Sequence, residues 1–299
     1  MGRRRRGVEH RQRISGRWLL SPALILLTLT VVVPMAFAAC LSFTKYDLLS
    51  APRFVGLANY TRLLSDPSFG TATLNTLEFA VGQVVVGVVV AFFVAMVFTN
   101  PLVGGGLMRT VIYIPQAMSY VTVALLWSFL YDPSVGPIDA ALRAMGLPAV
   151  NFLTDVNTAM PSILGMSLWR NLGYFSILLL AGLKAVPGEL IEAARIDNAG
   201  WWARLLHVVI PSMRTTLVFV GVTWFMGGLQ MFTQAYVMTQ GGPGDATRTV
   251  VYDMYQSAFT DLDIGRASAI AVLLFLVVVV VALPGRLIHE LQARRAAHA

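Results

Sequence analysis

The chain has 299 residues, of which 57% are hydrophobic and only 12% charged, with a mean hydropathy of +0.69. A soluble globular domain carries about twice that share of charge, so the composition excludes a soluble enzyme and predicts an all-α, polytopic membrane protein. The net charge of +7 sits largely in one tail, Arg3, Arg4, Arg5, Arg6, Arg11, Arg13 and Arg17; basic residues ahead of a first span read as a topology signal, not as a nucleic-acid surface.

Six stretches reach the roughly 20 apolar residues that a membrane helix needs. They run over about Leu19–Ser42, Leu74–Phe98, Met108–Tyr131, Ala159–Leu183, Val209–Phe232 and Arg266–Ile288. The first is followed by further spans and exceeds the usual length of a signal-peptide core. It is therefore read as uncleaved despite the Ala36-Phe37-Ala38 sequence. Cys40 is the single cysteine and can form no internal disulfide. The third and fifth spans carry helix-breaking signals, Pro115 and Gly227-Gly228, which membrane helices tolerate where the backbone packs on protein or lines a cavity. The chain divides into a basic tail (1–17), a first span with its outer loop (18–73), a five-span core (74–288) and a C-terminal tail (289–299).

Charge sets the direction of the spans. The faces shared by the tail, the 99–108 turn, the 184–208 loop and the C-terminus carry fourteen Arg and Lys residues, with Arg109 and Arg286 at the adjoining span ends included, against six on the opposite side. Those opposite loops carry Asp47, Asp66, Asp132, Asp139, Asp155, Asp245, Asp253, Asp261 and Asp263. The positive-inside rule then places both termini and the 184–208 loop in the cytoplasm.

Within that loop lies a charged island from Val186 to Gly200. Pro187 suits the first position of a helix. Glu189 and Glu192 lie near the positive end of its dipole. Asn198 or Gly200 can supply the left-handed residue that stops it, and Ala193-Ala194 leave a smooth patch for close packing. Glu192-Ala193-Ala194, then Asp197, with Ile210-Pro211 closing the segment, resembles the EAA loop of ABC importer permeases. That family usually has Gly where this chain has Asn198 and Phe near Leu205.

The resemblance continues along the chain. Phe54-Val55-Gly56-Leu57-Ala58-Asn59-Tyr60 and Met238-Thr239-Gln240-Gly241-Gly242-Pro243, with Ile264-Gly265-Arg266, resemble the outer segments of the carbohydrate-type permeases. The closer likeness is to the maltose permease F subunit and the glycerol-3-phosphate permease A family. The resemblance implies a type I importer permease fold with a cytoplasmic coupling helix, in which Glu189, Glu192, Ala193, Ala194, Arg195, Asp197 and Gly200 would meet a separate ATPase. It also implies a second, non-identical permease, an ATPase dimer that holds ATP and Mg, and an extracytoplasmic binding protein, a lipoprotein in many such systems. This chain itself would hold no cofactor. It has no G-x-x-x-x-G-K-[ST] phosphate loop, the sequence that cradles nucleotide phosphates, and no nucleophile–base pattern, so it reads as a permease subunit in the bacterial inner membrane and not as an enzyme.

Polar residues inside spans are expensive and read as functional by default. Ser167, Arg170, Asn171 and Tyr174 fall at i, i+3, i+4 and i+7 and share one face of the fourth span. That face either glues helices together or lines a translocation path. The family resemblance favours the path, because related permeases bind sugar with this helix and the next. Gly228, Gln230, Met231 and Phe232 of the fifth span offer the bare backbone, amide and aromatic ring that sugars require; the alternative for Gly227-Gly228 is close helix packing. A free Arg170 in such a path would favour an anionic solute of the glycerophosphodiester type, with Glu78 as its possible partner within the membrane. The competing reading is a self-sufficient secondary transporter or channel, which would commonly show inverted repeats and midplane carboxylates.

Overall fold

The computed structural model describes residues 20–100 and 105–296. The basic tail at 1–17 lies outside the described residues, as do part of the 99–108 turn and the last three positions of the 289–299 tail. Thirteen helices follow in order: α1 (Leu20–Leu41), α2 (Ala58–Leu64), α3 (Pro67–Val97), α4 (Gly106–Ala117), α5 (Tyr120–Leu130), α6 (Pro137–Ala144), α7 (Val156–Lys184), α8 (Gly188–Ile196), α9 (Trp201–Ser212), α10 (Arg214–Leu229), α11 (Thr233–Met238), α12 (Val250–Phe259) and α13 (Ile264–Ala296). A two-residue antiparallel ladder, β1 (Thr44–Lys45) with β2 (Arg53–Phe54), pairs Thr44 with Phe54 and Lys45 with Arg53.

Among the described residues, four helices are long and apolar enough to cross a membrane alone: α1, α3, α7 and the Ile264–Ala282 part of α13. Two more crossings arise if α4 with α5, bent by 97°, and α9 with α10, bent by 72°, each count as one broken span. Helix starts were set by caps outside the apolar runs. The Asp66 carboxylate accepts from Ser68 N at 2.9 Å, with Pro67 at the first position, so α3 begins seven residues before the predicted Leu74. Asp155 does the same for α7, accepting from Asn157 N at 2.8 Å.

The breaks differ from expectation. Pro115 lies inside α4, and the chain turns three residues later, at Met118-Ser119, where the Ser119 hydroxyl caps α5 through Val121 N. Gly227-Gly228 break nothing; both lie within α10. Gly228 is bare because a Cβ there would stand 2.6 Å from Ala80 Cα on α3. The second break falls at Met213, after Pro211. Pro34 and Pro211 are each preceded by a π turn, Thr28–Val32 in α1 and Leu205–Val209 in α9. A proline removes one N–H and crowds the carbonyl four residues back, and a wider turn is one way to accommodate that.

Contacts group the chain into two compact units, the first from residues up to 63 with 257–272, the second from 64–256 with 273 onward. In the first unit, the motif residues Asn59 and Gly265 meet. The Asn59 amide donates to Ser42 O and Thr44 O, each at 2.8 Å, and Gly265 lies against Thr44 O so closely that no side chain would fit. Helix α1 has none of its apolar window buried, an exposure that suits a hydrocarbon solvent and not water.

In the second unit α3, α7 and α10 pack together. Phe175 on α7 stacks on Trp224 of α10, with ring centroids 4.0 Å apart and planes at 12°, worth about 0.5–1.5 kcal/mol beyond the area buried. Trp224 fits because Gly87 of α3 leaves its ring the space. Gly173 lets the backbone of Ile112 on α4 lie directly on α7.

Candidate functional site

The polar face of α7 is buried: Ser167 entirely, Arg170 to 8% exposure and Asn171 to 7%, with Tyr174 half-buried beside Phe175. An ionised guanidinium at this depth is tolerable only with its donors satisfied. Arg170 Nη1 donates to Gln116 Oε1 at 3.1 Å and to Asn171 Oδ1 at 3.2 Å. Arg170 Nη2 donates to the carbonyls of Gln116 at 3.2 Å and Met118 at 2.9 Å. The Tyr120 ring lies under the guanidinium, 3.6 Å from its carbon, and its hydroxyl shares the Asn171 amide at 3.2 Å. Arg170 therefore takes its partners from the α4–α5 break, and Glu78 is exposed elsewhere on α3. The Oγ of Ser167 is buried without a hydrogen-bond partner among the described residues.

The residues picked from the fifth span scatter. Gly228 packs on Ala80, and Met231 is buried in a core cluster with Phe79, Met160, Ile163 and Ala235. Gln230, the C-cap of α10, is exposed. Phe232 joins an aromatic group that no single stretch of sequence announces: it stacks on Tyr236 at 5.3 Å and meets Tyr255 at 5.0 Å and Tyr252 at 6.5 Å. The Tyr252 hydroxyl donates to Gln240 O at 2.7 Å, and burial pushes its pKa up. The turn behind this group is held by Thr247, which meets Thr239 Oγ1 at 2.6 Å and donates to Gly242 O at 2.8 Å. Arg248 pairs with the fully buried Asp253. The polar face of α7 and the aromatic group thus form two separate clusters. Missed from the sequence were Gln116, Met118 and Tyr120; the Pro115 and Ser119 pair marked a break there, but nothing tied it to Arg170. In the loops, Asp132 is held below the usual carboxylate range by Ser134, whose hydroxyl and N–H both donate to it, and by Val135 N.

Between α7 and α10 the charged island forms helix α8 with Pro187 as its N-cap, one position outside the predicted place, and Glu189 in the first turn. Asn198, at φ +55°, is the left-handed stop, and Ala199 N closes onto Ala194 O at 2.9 Å, the bond pattern of a Schellman cap. Gly200 has negative φ and begins α9 instead. Glu189, Glu192, Ala193, Arg195 and Asp197 are exposed, as are Leu190, Ile196, Trp201 and Trp202, whereas Ala194 is half-buried. Arg195 and Arg204 also line a cavity of about 820 Å³ with Phe93, Met96, Leu205 and Val209.

Residues 83–298 match the family of binding-protein-dependent transport system inner membrane components. The chain belongs to that family. This permease is 34% identical to a probable ABC transporter permease of Bacillus subtilis, YurN, over 88% of its own length and 92% of the relative's. It is 31% identical to an sn-glycerol-3-phosphate transport system permease of Agrobacterium fabrum, UgpA, over 87% and 89%. It is 29% identical to the trehalose/maltose transport system permease MalF of Thermococcus litoralis, over 91% and 92%. The permease shares its fold with a chain of a bacterial alginate ABC transporter, solved with its alginate-bound periplasmic protein, at a TM-score of 0.78 and 22% identity, covering 92% of this chain and 94% of that one. It is a multi-pass ABC-transporter permease.

Proposed function

We propose that this chain is one half of the membrane path of an ATP-driven, binding-protein-dependent importer for a carbohydrate or glycerol-phosphate-type solute. The observation that carries the coupling role is α8, a short capped helix whose Glu189, Glu192, Ala193 and Asp197 stand outward beside exposed Leu190 and Ile196. An isolated apolar and acidic surface of this kind, in the loop assigned to the cytoplasm by charge, suits the groove of a separate ATPase. Ala194 lies half-buried behind this surface, Arg195 lies in the last turn, and the exposed Gly200 stands where α9 begins. Both termini are cytoplasmic in this reading, and ATP and Mg belong to the ATPase dimer.

The solute path runs along the α7 face of Ser167, Arg170, Asn171 and Tyr174 and along Gln230 and Phe232, with Gly228 and Met231 fixing that wall from the core. A second, non-identical permease completes the path, and an extracytoplasmic binding protein delivers the solute.

Two substitutions test the coupling in the reconstituted complex. Glu192→Lys places the wrong charge at a close contact, which can cost several kcal/mol. Ala193→Trp adds bulk that a tight groove cannot absorb. Both should leave the chain inserted while uptake falls steeply and the ATPase dissociates or hydrolyses ATP without transport. Normal uptake in both variants would reduce the island to a connector, and transport without ATP would favour a secondary carrier.

A further inference from the structure

Among the described residues, one buried cation stands in the middle of the unbroken membrane helices of the second unit. Arg109 and Lys184 lie at helix ends, in the first turn of α4 and at the end of α7, and the exposed Arg214 follows the α9–α10 break at the start of α10. Arg170 is the exception, and its four terminal N–H groups are all engaged, two of them by the main-chain carbonyls of Gln116 and Met118. Those carbonyls belong to the end of α4, where a helix leaves acceptors without intrahelical partners and where lipid would offer none. The Tyr120 ring closes one face of the guanidinium, and Nε, the remaining donor, is buried without a partner. Recognition of a carboxylate or phosphate by arginine relies on two parallel N–H groups. A single buried N–H does not supply them.

We infer that Arg170 is a positioning residue that staples the 97° bend between α4 and α5, and that the path it borders carries an uncharged, hydroxyl-rich solute and not an anionic one. The second half rests on the importer reading above; the first does not. An anion entering along the α7 face meets no free cation on that face, because the terminal N–H groups of Arg170 are all engaged. The side chains that hold Arg170 are those of Asn171, Gln116 and Tyr120, all uncharged, and the Gln116 amide nitrogen keeps donors that match sugar hydroxyls.

The bend is read directly by spin labels at the exposed Leu107 and Phe129, after Cys40→Ser, in the assembled transporter. From 1.5 Å per helical residue the labels should stand roughly 20 Å apart when bent and roughly 30 Å apart when straight. Uptake into proteoliposomes is measured in parallel for maltose, trehalose and raffinose, and for sn-glycerol-3-phosphate and glucuronate. The expected result is ATP-dependent uptake of an uncharged sugar only. Arg170→Gln should then lengthen and broaden the distance, with maximal uptake falling about tenfold while KM stays within about twofold. Arg170→Lys should not rescue, because an ammonium cannot reach the same set of acceptors. Gln116→Leu, which keeps the arginine, should give a milder form of the same change. The proposal is overturned if the wild type carries an anionic solute, if Arg170→Lys transports normally, or if Arg170→Gln raises KM about tenfold with the label distance unchanged. A bend that responds to Arg170→Gln in a complex that imports neither class would uphold the staple, and it would refute the importer reading together with the uncharged solute.

Discussion

The two broken helix pairs reach a similar shape by different means. The break between α9 and α10 is local. Pro211 withholds an N–H, the π turn Leu205–Val209 precedes it, Met213 N returns to Val209 O at 3.0 Å, and the Ser212 hydroxyl donates to Val208 O at 2.6 Å. Everything that makes the turn lies within ten residues of it. The break between α4 and α5 has Ser119 as a local cap, but its loose carbonyls are satisfied by Arg170, 54 and 52 residues away in sequence. A break built from neighbours needs only its own segment. A break closed by a distant side chain exists only when the tertiary structure does.

Substitutions at each break test this difference. The largest effect is expected at Gly173, where any side chain would meet the Ile112 backbone. Gly173→Leu should separate α4 from α7, withdraw Arg170 from its acceptors and leave no stable complex in detergent by size-exclusion chromatography. A well-behaved complex would mean that the α4 contact is dispensable. An intermediate effect is expected for Ser119→Ala, which removes the α5 cap and should cost about 1 kcal/mol, seen as a fall of a few degrees in the melting temperature of the solubilised complex. No change there would leave the first break entirely to Arg170. The smallest effect on stability is expected for Pro211→Ala. Alanine restores a donor and removes a residue that is about 3 kcal/mol unfavourable inside a helix, so the melting temperature should hold or rise while the angle between α9 and α10 opens. A marked loss of stability would show that the second break also depends on distant contacts.

The same distinction explains what could be read from the sequence. Span composition was legible because it needs no partners, and the ends of α8 were legible because Glu189 and Asn198 act on their own helix. The start of α3 was missed by seven residues because Asp66 and Pro67, which set it, are polar or turn-forming residues outside the apolar run. Gly227-Gly228 reads equally as a break and as a close helix contact, because a glycine that admits a neighbour and a glycine that frees the backbone are the same letter; the position of Ala80 decides for the contact at Gly228. The buried face of α7 was visible at its correct spacing. Its partners were not, because a guanidinium declares its charge in the sequence but not which carbonyls it will cap.

The staple also sets an order of events during synthesis. Gln116 and Met118 leave the ribosome before Arg170 has been made, and at about 5–20 residues per second the 54 residues between Gln116 and Arg170 take roughly 3 to 11 seconds. For that interval the broken third segment must wait with open carbonyls, held in the insertion machinery, at the bilayer surface or around trapped water. It settles only when α7 arrives, so the maturation of this segment is timed by the emergence of the fourth.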